Sequence, residues 1–116
     1  ISSSRWRIEE EYYRDYAIAL AYNGESEKAQ DALDEAVELG LTEDSVYYAR
    51  GEIDRSLGEL ERAESDFQSC INISEDPEIK ARAYVTLGDI YEEQGRDQDQ
   101  RDILAEGHEN LPVETR

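Results

Sequence analysis

Small and bulky apolar positions recur along this chain at a fixed interval, and the polar residues between them mark out its elements. Ala17, Gly24, Ala29, Leu33 and Ala36 return 34 residues later as Gly51, Gly58, Ala63, Phe67 and Cys70. A third set, Gly88, Gly95, Leu104 and Gly107, follows 37 residues after the second. Period and punctuation predict six helices. The first runs from about Ser4 to Asn23, with Ser3 or Ser4 as N-cap, and the second from Ser26 to Leu39. The third opens after Thr42 and closes at Gly58, and the fourth spans Glu59 to about Ile73. Pro77 opens the fifth, which stops at Gly95; the sixth occupies about Asp97 to Leu111 and Pro112 ends it. Acids gather at helix starts (Glu43, Asp44, Glu59, Asp97), where the macrodipole favours them by roughly 0.3–1 kcal/mol each.

A period of this size means that each unit is one helix pair that cannot bury its apolar face alone and must stack on its neighbours. The residue types say how. Ala17, Gly51 and Gly88 are small where another helix crosses, and Ala29 and Ala63 do the same on the second helices. Leu33, Phe67 and Leu104 are the knobs that fill the space, each worth roughly 1.5–3 kcal/mol when fully buried. Tyr13, Tyr47 and Tyr84 hold equivalent places early in the first helices.

Tyr84-x-x-Leu87-Gly88-x-x-Tyr91-x-x-x-Gly95 resembles the first-helix signature of the tetratricopeptide repeat (TPR), and Gly58-x-x-x-x-Ala63-x-x-x-Phe67-x-x-Cys70-Ile71 resembles its second half. Gly24 through Ala36-Val37 matches in the same way, so the resemblance covers about residues 10–112. It implies an all-α, right-handed α-α superhelix of three helix-turn-helix repeats. These are expected at 10–43, 44–77 and 78–112, after a helical extension at 1–9 and before a tail at 113–116. The third repeat begins three residues late, so Asp76, Pro77 and Glu78 are expected to lengthen the preceding helix or loop. Arg50 and Asp54 replace apolar residues on a packing face and, four apart, can pair with each other, either as a structural pair or as part of a site. Gln100, Arg101 and His108 make the outward face of the last helix polar, as in a terminal cap.

Composition narrows the function classes. The chain has 116 residues, 30 acids, 12 bases and a net charge of −18. Ten of the bases are arginine and two, Lys28 and Lys80, are lysine. Acid excess with little lysine resembles the proteins of salt-loving organisms; the competing reading is a basic partner drawn by a long-range acidic field. Nucleic-acid binding lacks the clustered Lys/Arg that phosphate neutralisation needs. No run approaches the roughly 20 apolar residues of a membrane span. The chain opens on Ile1 without methionine, which reads as an excised or processed piece, with a cytoplasmic setting favoured.

Candidate chemistry is sparse. His108 and Cys70 are the single histidine and cysteine, so no metal site and no His–Cys dyad is expected, and Cys70 sits at a packing position. Asp97-Gln98-Asp99 opens like a calcium loop but has no turn glycine and no closing glutamate. No enzyme activity and no cofactor is expected.

The resemblance also implies where binding happens: the first helices of the pairs line a concave groove that holds a peptide of another protein. Carried over residue by residue, the groove set is Glu11, Arg14, Ile18 and Tyr22, then Tyr48, Glu52 and Arg55, then Arg82, Val85, Asp89 and Glu92. Spacings of three or four make each group one stripe of its helix. Arg14, Tyr48, Arg55 and Arg82 are the expected contacts, since tyrosine and arginine dominate interface energetics. Alternatively the arginines pair with Glu52 and Asp89 and hold the groove's shape. The lysine and asparagine with which some relatives grip a chaperone tail are replaced by Arg14 and Ile18. A structural module that packs against itself, through Trp6 or the last helix, or against the rest of a longer parent protein is the competing expectation, and a salt-sensitive carrier of cations or basic proteins a third.

Overall fold

A computed structural model describes residues 3–111, with side chains from residue 8 onward. The expectations at Trp6, at the Ser3/Ser4 cap and at the 113–116 tail lie outside the described residues or side chains. Six helices follow in order: α1 (Ser3–Tyr22), α2 (Ser26–Glu38), α3 (Glu43–Ser56), α4 (Leu60–Ile73), α5 (Pro77–Glu93) and α6 (Asp97–Asn110). Each odd-numbered helix forms an antiparallel hairpin with the next. The turns inside the hairpins place a glycine in left-handed backbone, with φ of +82° at Gly24 and +78° at Gly58, which costs any residue with a Cβ.

The hairpins stack into an all-α solenoid with overall extents of 43 × 33 × 18 Å; the short axis is about two helix diameters. The repeat pattern is reproduced in the packing. Ala17, Ala29, Leu33, Ala36, Ala63, Phe67 and Cys70 are all buried. A Cβ on Gly51 would lie 2.8 Å from Phe67 Cζ and one on Gly107 would lie 2.9 Å from Tyr84 Cγ, so these helices touch backbone to ring. Burial pushes the Cys70 thiol up to about 12, which leaves it protonated and unreactive at neutral pH.

Three expectations need correction. The extra residues of the third repeat lengthen the following helix, not the preceding helix or loop. α4 ends at Ile73, and α5 opens with Pro77 at its first turn, capped by Asp76, whose side chain accepts from the Glu78 amide at 2.9 Å. Proline's fixed φ suits that position, so the insertion becomes almost an extra helical turn. Leu104 is not a buried knob: it leans over Gly88 but stays 42% exposed, because no further helix covers α6 among the described residues. Arg50 and Asp54 do not pair. Arg50 is exposed and rides over the Tyr47 ring at 5.9 Å, while Asp54 faces Asp66 across the α3/α4 hairpin.

The two junctions between hairpins are built differently. α1 packs broadly on α3, and α2 barely touches it; α5 packs broadly on α4 and only slightly on α3. No described helix is long and apolar enough to cross a membrane.

Candidate functional site

The groove positions lie on α1, α3 and α5, and their burial follows their place in the stack. Arg14, Tyr48 and Val85 are repeat equivalents, yet they are 3%, 7% and 55% exposed. Each of these positions is covered by the first helix of the next repeat where one exists. Arg14 Nη1 donates to Ser45 Oγ on α3 at 3.1 Å, and its Nε donates to Asp15 Oδ1 at 2.9 Å. Tyr48 lies edge-on to Phe67, with ring centroids 5.8 Å apart, and faces α5. Arg14 and Tyr48 therefore offer almost no surface for the contacts expected of them; they are part of the packing.

Polar bonds lace the same face together. The Tyr22 hydroxyl donates to Glu52 Oε1 at 2.6 Å and the Tyr48 hydroxyl to Glu52 Oε2 at 3.1 Å. Glu52 is buried, and two hydroxyl donors supply what a desolvated carboxylate requires. Burial first, and then the hydrogen bond and charge of Glu52, raise the Tyr22 hydroxyl well above its usual range. Burial followed by Glu52 also pushes Tyr48 up to about 12. Arg55 Nη2 and Nε donate to Glu93 Oε1 at 2.9 and 3.1 Å, so its partner is Glu93 rather than Glu52 or Asp89. Arg82 meets Glu78 at 3.4 Å, one turn away on its own helix. Ile18 and Glu11 are half-buried.

What remains open is Tyr22 at the end of α1 and the stripe on α5. Arg82, Val85, Asp89 and Glu92 are all exposed. Beside them a shallow, mainly apolar depression of about 340 Å³ is lined by Tyr48, Ala81, Arg82, Val85 and Thr86. Ala81, Thr86 and Glu93 were not in the expected set. The repeat interval places Glu92, not Glu93, opposite Arg55, and one residue of helix rotation decides which carboxylate is reached. Ala81 and Thr86 flank the expected stripe and could have been found as its shoulders.

Two further polar clusters sit away from this face. A cavity of about 590 Å³ between the body of α1, the start of α3 and the α4–α5 connection is lined by Glu10, Glu11, Glu43, Asp44, Glu75 and Asp76, with apolar neighbours such as Leu41 and Ile73. Burial works to raise the Asp44 carboxyl. The Ser74 hydroxyl, which donates to it at 2.6 Å, together with the Thr42 hydroxyl and the Ser45 amide holds it below the usual carboxylate range. The second cluster joins α4 to the α5–α6 turn. Glu64 accepts from the Tyr91 hydroxyl and from Arg96, both at 2.9 Å, and the Arg96 guanidinium lies 4.4 Å over the Tyr91 ring. No group of three metal-ligating side chains is gathered among the described residues.

Comparison with known proteins agrees with this architecture. The family profile of the tetratricopeptide repeat matches residues 44–77 and 81–106, the stretch that carries α3, α4 and α5 and most of α6. No curated protein and no solved structure matches the chain significantly. Repeats of this kind generally mediate protein–protein interaction and are typically non-enzymatic. With two matched repeats spanning half of its length and three stacked helix hairpins, the chain belongs to the tetratricopeptide repeat family.

Proposed function

We propose that this chain binds a peptide segment of a partner protein along the face made by α1, α3 and α5. The observation that carries the reading is the depression between Tyr48 and Val85, an apolar seat with exposed Arg82 on its rim. An aliphatic or aromatic side chain of the peptide fills that seat. Arg82 takes a carboxylate or carbonyl beside it, and Asp89 and Glu92 face polar or basic residues one and two turns on. Arg14, Tyr48, Glu52 and Arg55 hold the wall behind the peptide, with Tyr22, half exposed, giving an aromatic contact at the α1 end.

The test is capture of peptides from a displayed random library by the folded chain, followed by binding titrations with the selected peptide. Val85→Glu and Arg82→Glu are each expected to weaken binding at least about tenfold, the size of one lost hot-spot contact. Both residues are exposed, so helical circular dichroism stays unchanged. Unaltered affinity in both variants overturns the groove reading.

A further inference from the structure

We infer that the outer face of α1 is a second docking surface, and that its occupant is an amphipathic helix of a partner protein with basic flanks. Ile8, Tyr12 and Tyr16 recur every four residues on α1 and are 66%, 62% and 45% exposed. A spacing of four makes them one stripe. Tyr12 and Tyr16 stack on each other, with centroids 6.0 Å apart and planes 15° apart, and Tyr13, itself packed on the core, meets Tyr12 edge-on at 5.5 Å. The rings are thus held as a flat, pre-ordered apolar surface, which lowers the entropy cost of docking.

The chain itself shows what such a face receives. Ile8, Tyr12 and Tyr16 are the repeat equivalents of Ile79, Ala83 and Leu87 on α5, all of which are buried in one cluster with Phe67, Cys70 and Ile71 of α4. In the third repeat this stripe is covered by one apolar helix face. On α1 no described helix covers it. Charge selects among possible helices. Along α1 the sequence places Arg5 and Arg7 before the stripe and Glu9, Glu10, Glu11 and Asp15 beside it, while Arg14 is buried against Ser45. The whole chain carries −18. A second copy would bring one chain of −18 against another, whereas a helix with lysine or arginine beside its apolar stripe meets opposite charge.

The probe is a fluorescein-labelled peptide of residues 59–73, the α4 helix, carrying Glu61→Lys, Ser65→Lys and Asn72→Lys at positions exposed in the fold. Anisotropy is expected to report binding to the whole chain. That binding should weaken at least about tenfold in a Tyr12→Ser/Tyr16→Ser variant, as expected for lost aromatic anchors, and stay unchanged in Val85→Glu, which separates this surface from the groove. The unaltered, acidic peptide is expected to bind more weakly at low salt, with the gap closing at about 1 M salt, where the Debye length falls to about 3 Å. Ring-proton shifts of Tyr12 and Tyr16 in the unmutated chain give a readout that does not depend on how the variant folds. Equal binding by the double variant, ring shifts that do not move, or loss in Val85→Glu alone overturns the inference. So does a concentration-dependent dimer of the peptide-free chain that Tyr12→Ser abolishes, since the occupant would then be a second copy.

Discussion

Gly51 lies where the Phe67 ring crosses α3, and the space left there is smaller than one methyl group. Adding that methyl in Gly51→Ala gains roughly 1 kcal/mol of helix propensity, but it forces a fully buried ring to move, at about 1–3 kcal/mol. Urea denaturation is expected to show a net loss of up to about 2 kcal/mol. Gly88→Ala presents its methyl to the Leu104 side-chain end at 3.1 Å, and that side chain is 42% exposed and free to swing. The same measurement should find Gly88→Ala neutral or mildly stabilising, and equal losses at both sites would refute the contrast. Asp66 is a second residue with a large local effect. Burial, then the hydrogen bond and charge of Asp54, push its carboxyl up to about 7 against the opposition of Arg50 and Arg62. The folded chain keeps a proton there that the unfolded chain loses near 3.8, so this group's stabilisation is full below that value and declines as pH rises towards 7. Asp66→Asn removes the decline. Thermal melts should show the variant about 1 kcal/mol more stable at pH 8, a size reduced for solvent screening, and unchanged at pH 4. A variant less stable at pH 8 would show that Asp54 and Asp66 are not held together.

At the scale of elements, the six helices and their hairpins were legible because each hairpin turns at a glycine and is filled at a fixed interval, as Gly58, Ala63, Phe67 and Cys70 show on one of them. What lay beyond reach was whatever depends on the neighbouring hairpin. Arg14, Tyr48 and Val85 read alike along the sequence, but only the first two have a following first helix over them. The Asp54–Asp66 encounter crosses a hairpin that local spacing cannot see, so Arg50, four residues away, looked like the partner. Pro77 was recognised as a helix start, but the capping of the Glu78 amide by Asp76 decided which element absorbed the insertion. α6 shows the other consequence of position. It packs on α5 alone, and Gly107 is its one buried residue among those described. Little apolar area ties it down, so its amides belong to the low end of local stability. Hydrogen exchange is expected to be faster in α6 than in the central stretches of α3, α4 and α5; protection of α6 equal to α4 would contradict this.

The whole molecule is a short stack whose two ends differ in character. One end shows Ile8 and the stacked tyrosines of α1, and the other shows polar α6 beside the open face of α5. Such asymmetry is invisible in the repeat interval, which treats the units as equal. The seams are unequal as well. The first two hairpins are joined on the groove side, where Tyr22 reaches Glu52 and Arg14 reaches Ser45, with α2 scarcely engaged on α3. The last two are joined chiefly through α4 and α5, with Glu64, Tyr91 and Arg96 as a clasp. A load applied across the stack would therefore meet a compliant gap along the outside of the first seam, where α2 meets α3, and along the groove side of the second, where α5 meets α3. Bending would be taken up where α2 meets α3, pivoting about the Tyr22–Glu52 bond like a door on its hinge. At the second seam the α4–α5 contact is the pivot, and the Arg55–Glu93 pair is the tie that restrains the α3–α5 side beside the Val85 depression.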